Sequence, residues 1–340
     1  MPRTSDPAAL AAAVLGGDRT AIGRALTLVE SRAAKHQEAA GELQRRLLPH
    51  AGAALRVGLS GPPGVGKSTF IEALGLHLIE LGHRVAVLAV DPSSTLTGGS
   101  ILGDKARMER LALAPEAFVR PSPSAATLGG VARRTREAML VLEAAGHDVV
   151  LVETVGVGQS ETAVAEMVDT FCVLMLPGSG DELQGIKKGI VELADVLVIH
   201  KADGDNLARA EAAKADLDAA LHYLRPKRAE WQPKAVLASA LEGRGVDQVW
   251  RTIVEHHRLL ERLGLLESIR ADQRVRWLWD EVLGELEQRF RNHPAVAEQL
   301  PDLERRTASG ELAVRVAALR LLAAFGAQGD PPGKVSRSCT

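Results

Sequence analysis

A glycine-rich turn in the first quarter of the sequence has residue types and a spacing that suit phosphate binding. It fits the pattern G-x-x-x-x-G-K-[ST] and consists of Gly61, Pro62, Pro63, Gly64, Val65, Gly66, Lys67, Ser68 and Thr69. A short apolar run precedes the turn and a helical periodicity from Phe70 to Leu81 follows it, which is the context of a P-loop. Glycines let successive backbone N–H groups curl around phosphate oxygens. The pattern predicts that the chain binds a nucleoside triphosphate.

Two side chains of this P-loop have distinct predicted roles. Lys67 would reach the β- and γ-phosphates and neutralise charge during catalysis, and the Ser68 hydroxyl would bind Mg²⁺. The N-terminus of the following helix would add the positive end of its dipole.

Acidic residues beyond two other apolar runs are candidates for the same Mg²⁺ site. Asp91 directly follows one run, Asp104 lies in the polar segment after it, and Glu153 ends the run at 148–152. Four apolar residues before a terminal acid form a Walker-B pattern, in which the carboxylate orients Mg²⁺ or its water. Gln159, Asp104 and Glu153 are the candidates for orienting the attacking water, and the residues alone do not choose among them.

Short apolar runs alternate with helical stretches between residues 55 and 240. The runs are Arg56–Leu59, Val85–Val90, Val149–Val152, Phe171–Leu176, Val196–His200 and Ala235–Leu237. Nearly continuous Val, Leu and Ile are typical of parallel strands that are covered on both faces. This succession predicts an α/β fold with a mostly parallel, doubly wound sheet, whose ligands bind beyond the carboxyl ends of the strands.

The last two of these runs are followed by residues that suit recognition of a base. Lys201 and Asp203 match the end of the G-protein motif Asn-Lys-x-Asp, in which the carboxylate accepts hydrogen bonds from guanine and the lysine stem lies against the base. A short Ser-Ala-x segment follows the last run, as in G-proteins. The predicted base-contacting residues are His200, Lys201, Asp203, Ser239, Ala240 and Leu241.

A glycine-rich, charged loop at Pro177–Gly189 follows another buried run. Such a segment can act as a mobile loop that senses the nucleotide; the alternative is a plain connection into a helix at Ile186 to Leu193. The candidate switch or partner residues in it are Asp181, Glu182, Gln184, Lys187 and Lys188.

Helical segments are predicted on both sides of this domain. We expect an N-terminal helical arm at 1–52, a nucleotide-binding domain at 53–262, a C-terminal helical arm at 263–327 and a disordered tail at 328–340. An apolar stripe on the C-terminal arm either folds back on the core or forms a dimer contact. Its arginines are expected on a solvated face: Arg270, Arg274, Arg276, Arg289 and Arg291.

Composition limits the class of protein. The 340 residues are 46% hydrophobic and 25% charged with a net charge of −2, which argues against a cationic nucleic-acid binder. Cys172 and Cys339 have no metal-type spacing, and Cys172 is predicted in the core. Neither a signal peptide nor an apolar run long enough for a membrane helix is evident. The predicted compartment is the cytoplasm, without a membrane partner.

Taken together, these stretches resemble the MeaB/ArgK family, the G-protein chaperones of adenosylcobalamin-dependent methylmalonyl-CoA mutase. The similarity extends over most of the chain and is most specific at Gly61–Thr69, Asp91–Ser100, Glu153–Gln159 and Pro177–Gly189. His200 departs from the family pattern, which has Asn. That Asn braces the P-loop and contacts the guanine edge; histidine can keep a hydrogen bond there, and Asp203 still supplies the base-discriminating carboxylate.

The resemblance implies a GTPase core of the signal-recognition-particle/MinD class that uses GTP, GDP and Mg²⁺. It implies that Ser68, Asp91, Asp104 and Glu153 hold the metal, that Pro177–Gly189 is a nucleotide-responsive switch, and that the C-terminal helices form a homodimer. The implied function is to gate cofactor loading and to protect the mutase, with GTP hydrolysis timing the cycle. The client is methylmalonyl-CoA mutase or a mutase of another acyl-CoA.

Three other functions remain open from the residues. A kinase of an amino-acid transport system would need an acceptor site. A metallochaperone GTPase would need clustered His or Cys ligands, which the two cysteines do not provide. A module that binds nucleotide without hydrolysis would not need Lys67, Ser68, Asp91 and Glu153 all intact.

Overall fold

A computed structural model describes residues 6–31, 33–90, 108–120, 128–154, 160–178, 188–223 and 226–326. These residues form seven strands and thirteen α-helices. The strands are β1 Leu55–Ser60, β2 Val85–Val90, β3 Ala117–Arg120, β4 Val149–Thr154, β5 Thr170–Met175, β6 Val196–His200 and β7 Lys234–Ala238.

The strands form one sheet in the order β3-β2-β4-β1-β5-β6-β7, and every neighbouring pair is parallel. All residues of β2, β4, β5 and β6 are buried, as expected for a parallel sheet with both faces covered. The predicted fold class is confirmed. The order brings the carboxyl ends of β4, β1, β5, β6 and β7 together along one edge, because adjacent parallel strands point the same way.

The helices lie before, between and after these strands. They are α1 Pro7–Leu15, α2 Arg19–Val29, α3 Ala34–Leu47, α4 Lys67–Glu80, α5 Glu109–Leu113, α6 Leu128–Ala144, α7 Ser160–Ala165, α8 Lys188–Leu193, α9 Leu207–Leu221, α10 Val246–Arg262, α11 Leu265–Asn292, α12 Pro294–Ala308 and α13 Val314–Gly326. Among them, α1 and α2 have side-chain caps: Asp6 accepts from the Ala8 N–H at 3.1 Å, and Asp18 accepts from the Thr20 N–H at 2.7 Å.

The main core lies between the sheet and the helices α4 and α10. Phe70, Leu74 and Leu78 of α4 are fully buried, as are Val249 and Ile253 of α10. Their spacing of four residues places them on one face of each helix. Burial of a large apolar side chain contributes about 1.5–3 kcal/mol, so this layer holds α4 and the P-loop before it against the sheet.

Two elements were absent from the sequence prediction. The edge strand β3 has only four residues, too few to show a periodic pattern. The helix α12 begins at a proline and contains Pro301; proline inside a helix removes a backbone donor and normally indicates a break. Most other bounds agree within about three residues, which is the usual uncertainty at element ends.

The chain divides into two compact units, Met1–Arg274 and Val275–Thr340, and the division falls within α11. The first contains the sheet, and the second contains α12 and α13 packed together. The predicted disordered tail at 328–340 lies outside the described residues.

The prediction that Arg270 lies on a solvated face is wrong. Arg270 is 6% exposed, and its guanidinium donates to Asp169 Oδ1 at 2.9 Å and Oδ2 at 2.6 Å. It also donates to the carbonyls of Gly52 and Ala54, at the amino end of β1. Breaking a buried ion pair of this kind costs about 3–5 kcal/mol, so Arg270 fixes the start of α11 to the base of the sheet.

Buried histidines make the stability of the fold sensitive to acid, and His147 shows the largest effect. Its side chain is 4% exposed and its Nδ1 donates to the Leu142 carbonyl at 3.0 Å. Burial lowers the pKa of His147 from 6.5 to about 4. The unfolded state therefore binds more protons between these values, and the stabilisation is complete above pH 6.5 and declines as the pH falls towards 4.

Acidification to the pKa of His147 should lower the free energy of unfolding of wild type more than that of the His147→Gln variant. We expect the difference between the two losses to be about 3 kcal/mol. Urea unfolding at several pH values measures this difference. His50→Gln, which changes an exposed histidine, serves as the control and should follow wild type. If the free energies of unfolding of wild type and His147→Gln change with pH in the same way, the His147 ring is not held neutral in the folded state.

Candidate nucleotide-binding site

The sequence-predicted residues that the structure describes meet at the carboxyl edge of the sheet. The P-loop at 61–69 follows β1, Glu153 lies near the end of β4, and His200 ends β6. The segment 239–241 follows β7, next to β6 in the sheet. Residues more than 130 positions apart in the chain therefore form one site.

The P-loop takes backbone conformations that require glycine. Gly61 has φ 150° and Gly66 has φ 95°, values that side-chain-bearing residues rarely adopt. A Cβ at Gly61 would lie 2.5 Å from the Leu174 carbonyl oxygen, and one at Gly66 would lie 2.9 Å from Cε1 of His200. Close packing of the loop against β5 and β6 thus fixes both glycines.

Lys67 opens α4 and returns its side chain to the loop before it. Its Nζ donates to the carbonyls of Gly61 at 2.7 Å and Pro62 at 3.2 Å. Burial lowers the pKa of Lys67, and the nearby carboxylates of Glu153 and Glu161 oppose that shift. The ammonium group is held within the curl of the loop, where it can neutralise phosphate oxygens.

Ser68 and Glu153 form the acidic side of the site. The Ser68 hydroxyl donates to Glu153 Oε1 at 3.2 Å, and Glu153 is 3% exposed. The next residue on β4, Thr154, donates to the Ser60 hydroxyl at 2.8 Å and so links β4 to β1. A hydroxyl beside a carboxylate supplies the hard oxygen ligands that Mg²⁺ prefers, so these two residues fit the predicted metal.

His200 connects two loops of the site. Its Nδ1 lies 2.7 Å from the Val65 carbonyl oxygen, and the Ala240 N–H points to its Nε2 at 3.3 Å. Because a carbonyl only accepts and an N–H only donates, the ring is the neutral tautomer with its proton on Nδ1. Burial lowers the pKa of His200, although the bond to Val65 opposes that shift. The predicted hydrogen bond from this histidine to the P-loop is present.

Asp203 lies beside the segment that follows β7. The Ser239 hydroxyl donates to Asp203 Oδ2 and accepts from the Glu242 N–H at 3.2 Å. Lys201 has φ 61° and its Nζ donates to the Gly64 carbonyl at 2.9 Å. Asp203 and Ser239 are thus in contact with each other, and the Lys201 side chain contacts the P-loop.

One described residue of the prediction, Leu241, does not pack into this group. The side chain of Leu241 is 85% exposed. Asp91, Asp104, Gln159, Asp181, Glu182, Gln184 and Lys187 lie outside the described residues, and Lys188 is described as the first residue of α8.

Sequence reasoning missed two residues beside the site. Glu161, on α7, is 9% exposed, and together with Glu153 it opposes the lowering of the Lys67 pKa that burial causes. The Arg244 carbonyl accepts from the Ser239 N–H at 2.9 Å, which fixes the loop that carries Ser239. The only sequence signal for Glu161 was its position two residues after Gln159. Arg244 acts through its backbone carbonyl, so its residue type gives no sequence signal.

The described part of the chain contains no cluster of three or more His, Cys, Asp or Glu side chains that could hold a metal ion. It also contains no helix that is both long and apolar enough to cross a membrane.

Comparison with known proteins gives consistent matches. The family described as "Methylmalonyl Co-A mutase-associated GTPase MeaB" matches residues 22–295. GTPase ArgK of Escherichia coli is 54% identical over 77% of this chain and 79% of its own length. The mouse protein "Methylmalonic aciduria type A homolog, mitochondrial" is 47% identical over 91% of this chain and 77% of its own.

A solved structure extends the similarity to the whole fold. The crystal structure titled "LAO/AO transport system kinase" is 39% identical, covers 96% of this chain and 99% of its own, and superposes with a TM-score of 0.74. The matched family and the Escherichia coli relative are both named as GTPases.

Proposed function

Because the chain belongs to the MeaB family of mutase-associated GTPases, we propose that this GTPase is a Mg²⁺-dependent chaperone of an adenosylcobalamin-dependent acyl-CoA mutase. It gates loading of the cofactor and protects the mutase, and methylmalonyl-CoA mutase is the favoured client. The observation that carries the nucleotide chemistry is the convergence of Lys67, the Ser68–Glu153 pair and Asp203 at one edge of the sheet. The name of the matched family supports the choice of partner.

The P-loop holds the β- and γ-phosphates in this proposal. Its backbone N–H groups surround the phosphate oxygens, and the Lys67 ammonium neutralises charge that develops as water attacks the γ-phosphorus. The β–γ phosphoanhydride bond breaks, and GDP and phosphate leave. Glu153, Asp104 and Gln159 are the proposed candidates for orienting the water.

Ser68 and Glu153 would hold Mg²⁺ together with Asp91 and Asp104. The bound cation would supply charge neutralisation at the phosphate oxygens. The Ser68 hydroxyl and the Glu153 carboxylate are hydrogen-bonded at 3.2 Å, and this proximity of two proposed ligands supports the assignment.

Asp203 would select guanine by accepting hydrogen bonds from the base, with the Lys201 stem against the base plane. The Ser239 hydroxyl already donates to Asp203 and so holds the carboxylate in place. Ala240 and Leu241 would contact the base beside it, and His200 would brace the loops rather than read the base, since both ring nitrogens are engaged.

The decisive experiment is phosphate release from GTP and from ATP, each with and without methylmalonyl-CoA mutase from the same source. We expect turnover that is selective for GTP and rises when the mutase is added. If GTP turnover is unchanged by this mutase but rises with another acyl-CoA mutase, the client is that other mutase. Indifference to every such mutase would contradict the chaperone role.

A kinase is the second candidate, because the solved relative carries that title. Transfer of label from γ-labelled GTP to a protein or amino acid would support it. Release of all label as inorganic phosphate would favour the GTPase cycle alone.

The loop Pro177–Gly189 is the proposed nucleotide-responsive switch that contacts the mutase. It follows β5, which pairs with β1 immediately before the P-loop. That connection supports the proposal, since movement at the nucleotide can reach the loop through neighbouring strand ends.

We further propose a homodimer formed through the C-terminal arm. Large apolar side chains of the second unit are between 42% and 73% exposed, and they are Val275, Leu278, Trp279, Val282, Leu283 and Leu286 on α11 and Val314, Val316, Leu319 and Leu322 on α13. Exposed apolar side chains at helical spacing, as in Leu278, Val282 and Leu286, are typical of a protein–protein contact.

Changing Leu278 and Val282 to glutamate should convert the dimer into monomer, because two charges would be buried in the contact. Light scattering during gel filtration measures the mass. The Leu113→Glu variant alters a side chain of the first unit that is 85% exposed and should remain dimeric. A wild-type protein of monomer mass would contradict the proposal.

A further inference from the structure

A cavity lies at the amino ends of the strands, on the opposite edge of the sheet from the P-loop. Its volume is about 770 Å³, which is within the usual range of roughly 300–1,000 Å³ for small-molecule sites. Leu55 and Val149, the first residues of β1 and β4, form part of its wall. Ligands of parallel sheets normally bind at the other edge, so the nucleotide site does not account for this cavity.

The apolar part of the cavity includes two tryptophans. Trp250 lies on α10 and Trp231 precedes β7, and each is 6% exposed. The Trp231 indole N–H donates to the Asp195 carbonyl at 2.8 Å, which fixes the ring. The exposed edges of these rings, together with Leu81, Val254 and Leu259, form an apolar wall against which the apolar body of a ligand can pack.

The charged part of the cavity has an excess of positive charge. Glu255 pairs with Lys234 at 2.6 Å, and Asp148 pairs with His83 at 2.7 Å. Arg258 and Arg262 also line the cavity, and neither has an ion-pair partner among the residues that the structure describes.

The two arginines stand four positions apart on α10, so they lie on one face of the helix. Paired guanidinium groups of this kind match a carboxylate, sulfonate or phosphate. Pocket-lining positions continue along the helix from Trp250 to Arg262, and they therefore place Trp250 at one end of the cavity and Arg262 at the other.

We propose that this cavity is a binding site for a small molecule that combines a flat apolar body with an anionic group. The body packs against the wall that includes Trp231 and Trp250, and the anion lies between Arg258 and Arg262. The site is separate from the GTP site and is independent of the function proposed above.

The test uses two fluorescent probes on the full-length protein saturated with GDP and Mg²⁺, so that the nucleotide site is filled. One probe is 1-anilinonaphthalene-8-sulfonate, and the other is N-phenyl-1-naphthylamine, which has the same ring system without the charge. In the Arg258→Gln/Arg262→Gln variant we expect the Kd of the sulfonate to rise roughly fivefold, with the Kd of the neutral probe unchanged.

The matched control is Arg315→Gln/Arg320→Gln, which removes two exposed arginines from α13, near the apolar face of the C-terminal arm. It should leave both affinities at the wild-type level. Loss of sulfonate binding in this control instead would place the probe on the arm and overturn the proposal, as would unchanged sulfonate affinity in the Arg258/Arg262 variant.

A cavity-filling variant tests the apolar part. Val254 lines the cavity and is partly buried, so Val254→Trp should weaken both probes together, while GTP turnover stays at the wild-type level and reports an intact fold. If this variant keeps normal turnover and binds both probes as wild type does, the probes lie elsewhere and the cavity is not the site.

Discussion

Replacing Lys67 with alanine will lower the GTP turnover number by about a hundred- to a thousandfold, the usual cost of removing one preorganised charge from a reacting group. The ammonium group of Lys67 lies within the curl of the P-loop and donates to Gly61 and Pro62. In the proposed nucleotide-bound state those contacts would give way to contacts with the β- and γ-phosphates. Affinity for GTP should also fall, by roughly tenfold, because a charge-assisted contact is lost.

The fold should survive this change. Lys67 is a buried cation whose pKa is lowered by desolvation, so its removal also relieves the cost of burying a charge. The neighbouring Phe70, Ile71 and Leu74 keep α4 in the core. Circular dichroism and thermal unfolding should therefore resemble those of wild type.

Lys214→Ala is the matched control for this prediction. Lys214 lies on α9 and pairs with Asp218 at 2.6 Å on the partly exposed helix surface, where an ion pair contributes about 0.2–1 kcal/mol. Its removal should leave phosphate release unchanged. Turnover within a few-fold of wild type in Lys67→Ala would show that the P-loop assignment is mistaken.

The elements around the site could be predicted because their signals are local. The P-loop shows its glycines, its lysine and the flanking strand and helix within about twenty residues, and the buried strands β2, β4 and β6 are continuous apolar runs. The carboxyl ends of the strands lie at one edge of the sheet because the strands are parallel, so their proximity could also be predicted. By contrast, β3 and α12 lacked such signals: one is too short, and Pro301 interrupts the other.

Contacts between distant residues were harder to predict. Nothing in the sequence near Arg270 indicates that Asp169, which lies 101 positions earlier, will accept from its guanidinium. A pattern of arginines on a terminal helix is most often solvated, and only the packing of α11 onto the base of the sheet reverses that expectation. The proximity of Ser239 and Asp203 was easier to predict, because these residues lie just after two neighbouring strands, β7 and β6.

His200 should prove important for affinity rather than for base choice. In His200→Ala the P-loop loses the donor to Val65 and the 239–241 segment loses the acceptor for Ala240. Each lost buried hydrogen bond costs about 1 kcal/mol, so the Kd values for GTP and GDP should both rise roughly tenfold or more. Titration with fluorescent analogues of GTP and GDP measures this change.

The His200→Asn variant provides the matched control. Asparagine stands at this position in the Asn-Lys-x-Asp motif, and its carboxamide can both donate and accept. It should recover most of the affinity that alanine loses. A loss in His200→Asn as large as that in His200→Ala would mean that the imidazole ring itself is needed, for instance through its edge contact with Phe70 at 5.5 Å.

The ratio of GTP to ATP affinity separates bracing from base reading. Because both nitrogens of His200 are engaged by the backbone, removal of the ring should weaken the two nucleotides equally and leave the ratio unchanged. Asp203→Ala should act differently, since it removes the carboxylate that would distinguish guanine from adenine, and the ratio should fall. If His200→Ala lowers the ratio as much as Asp203→Ala does, the histidine contacts the base and the bracing role is wrong.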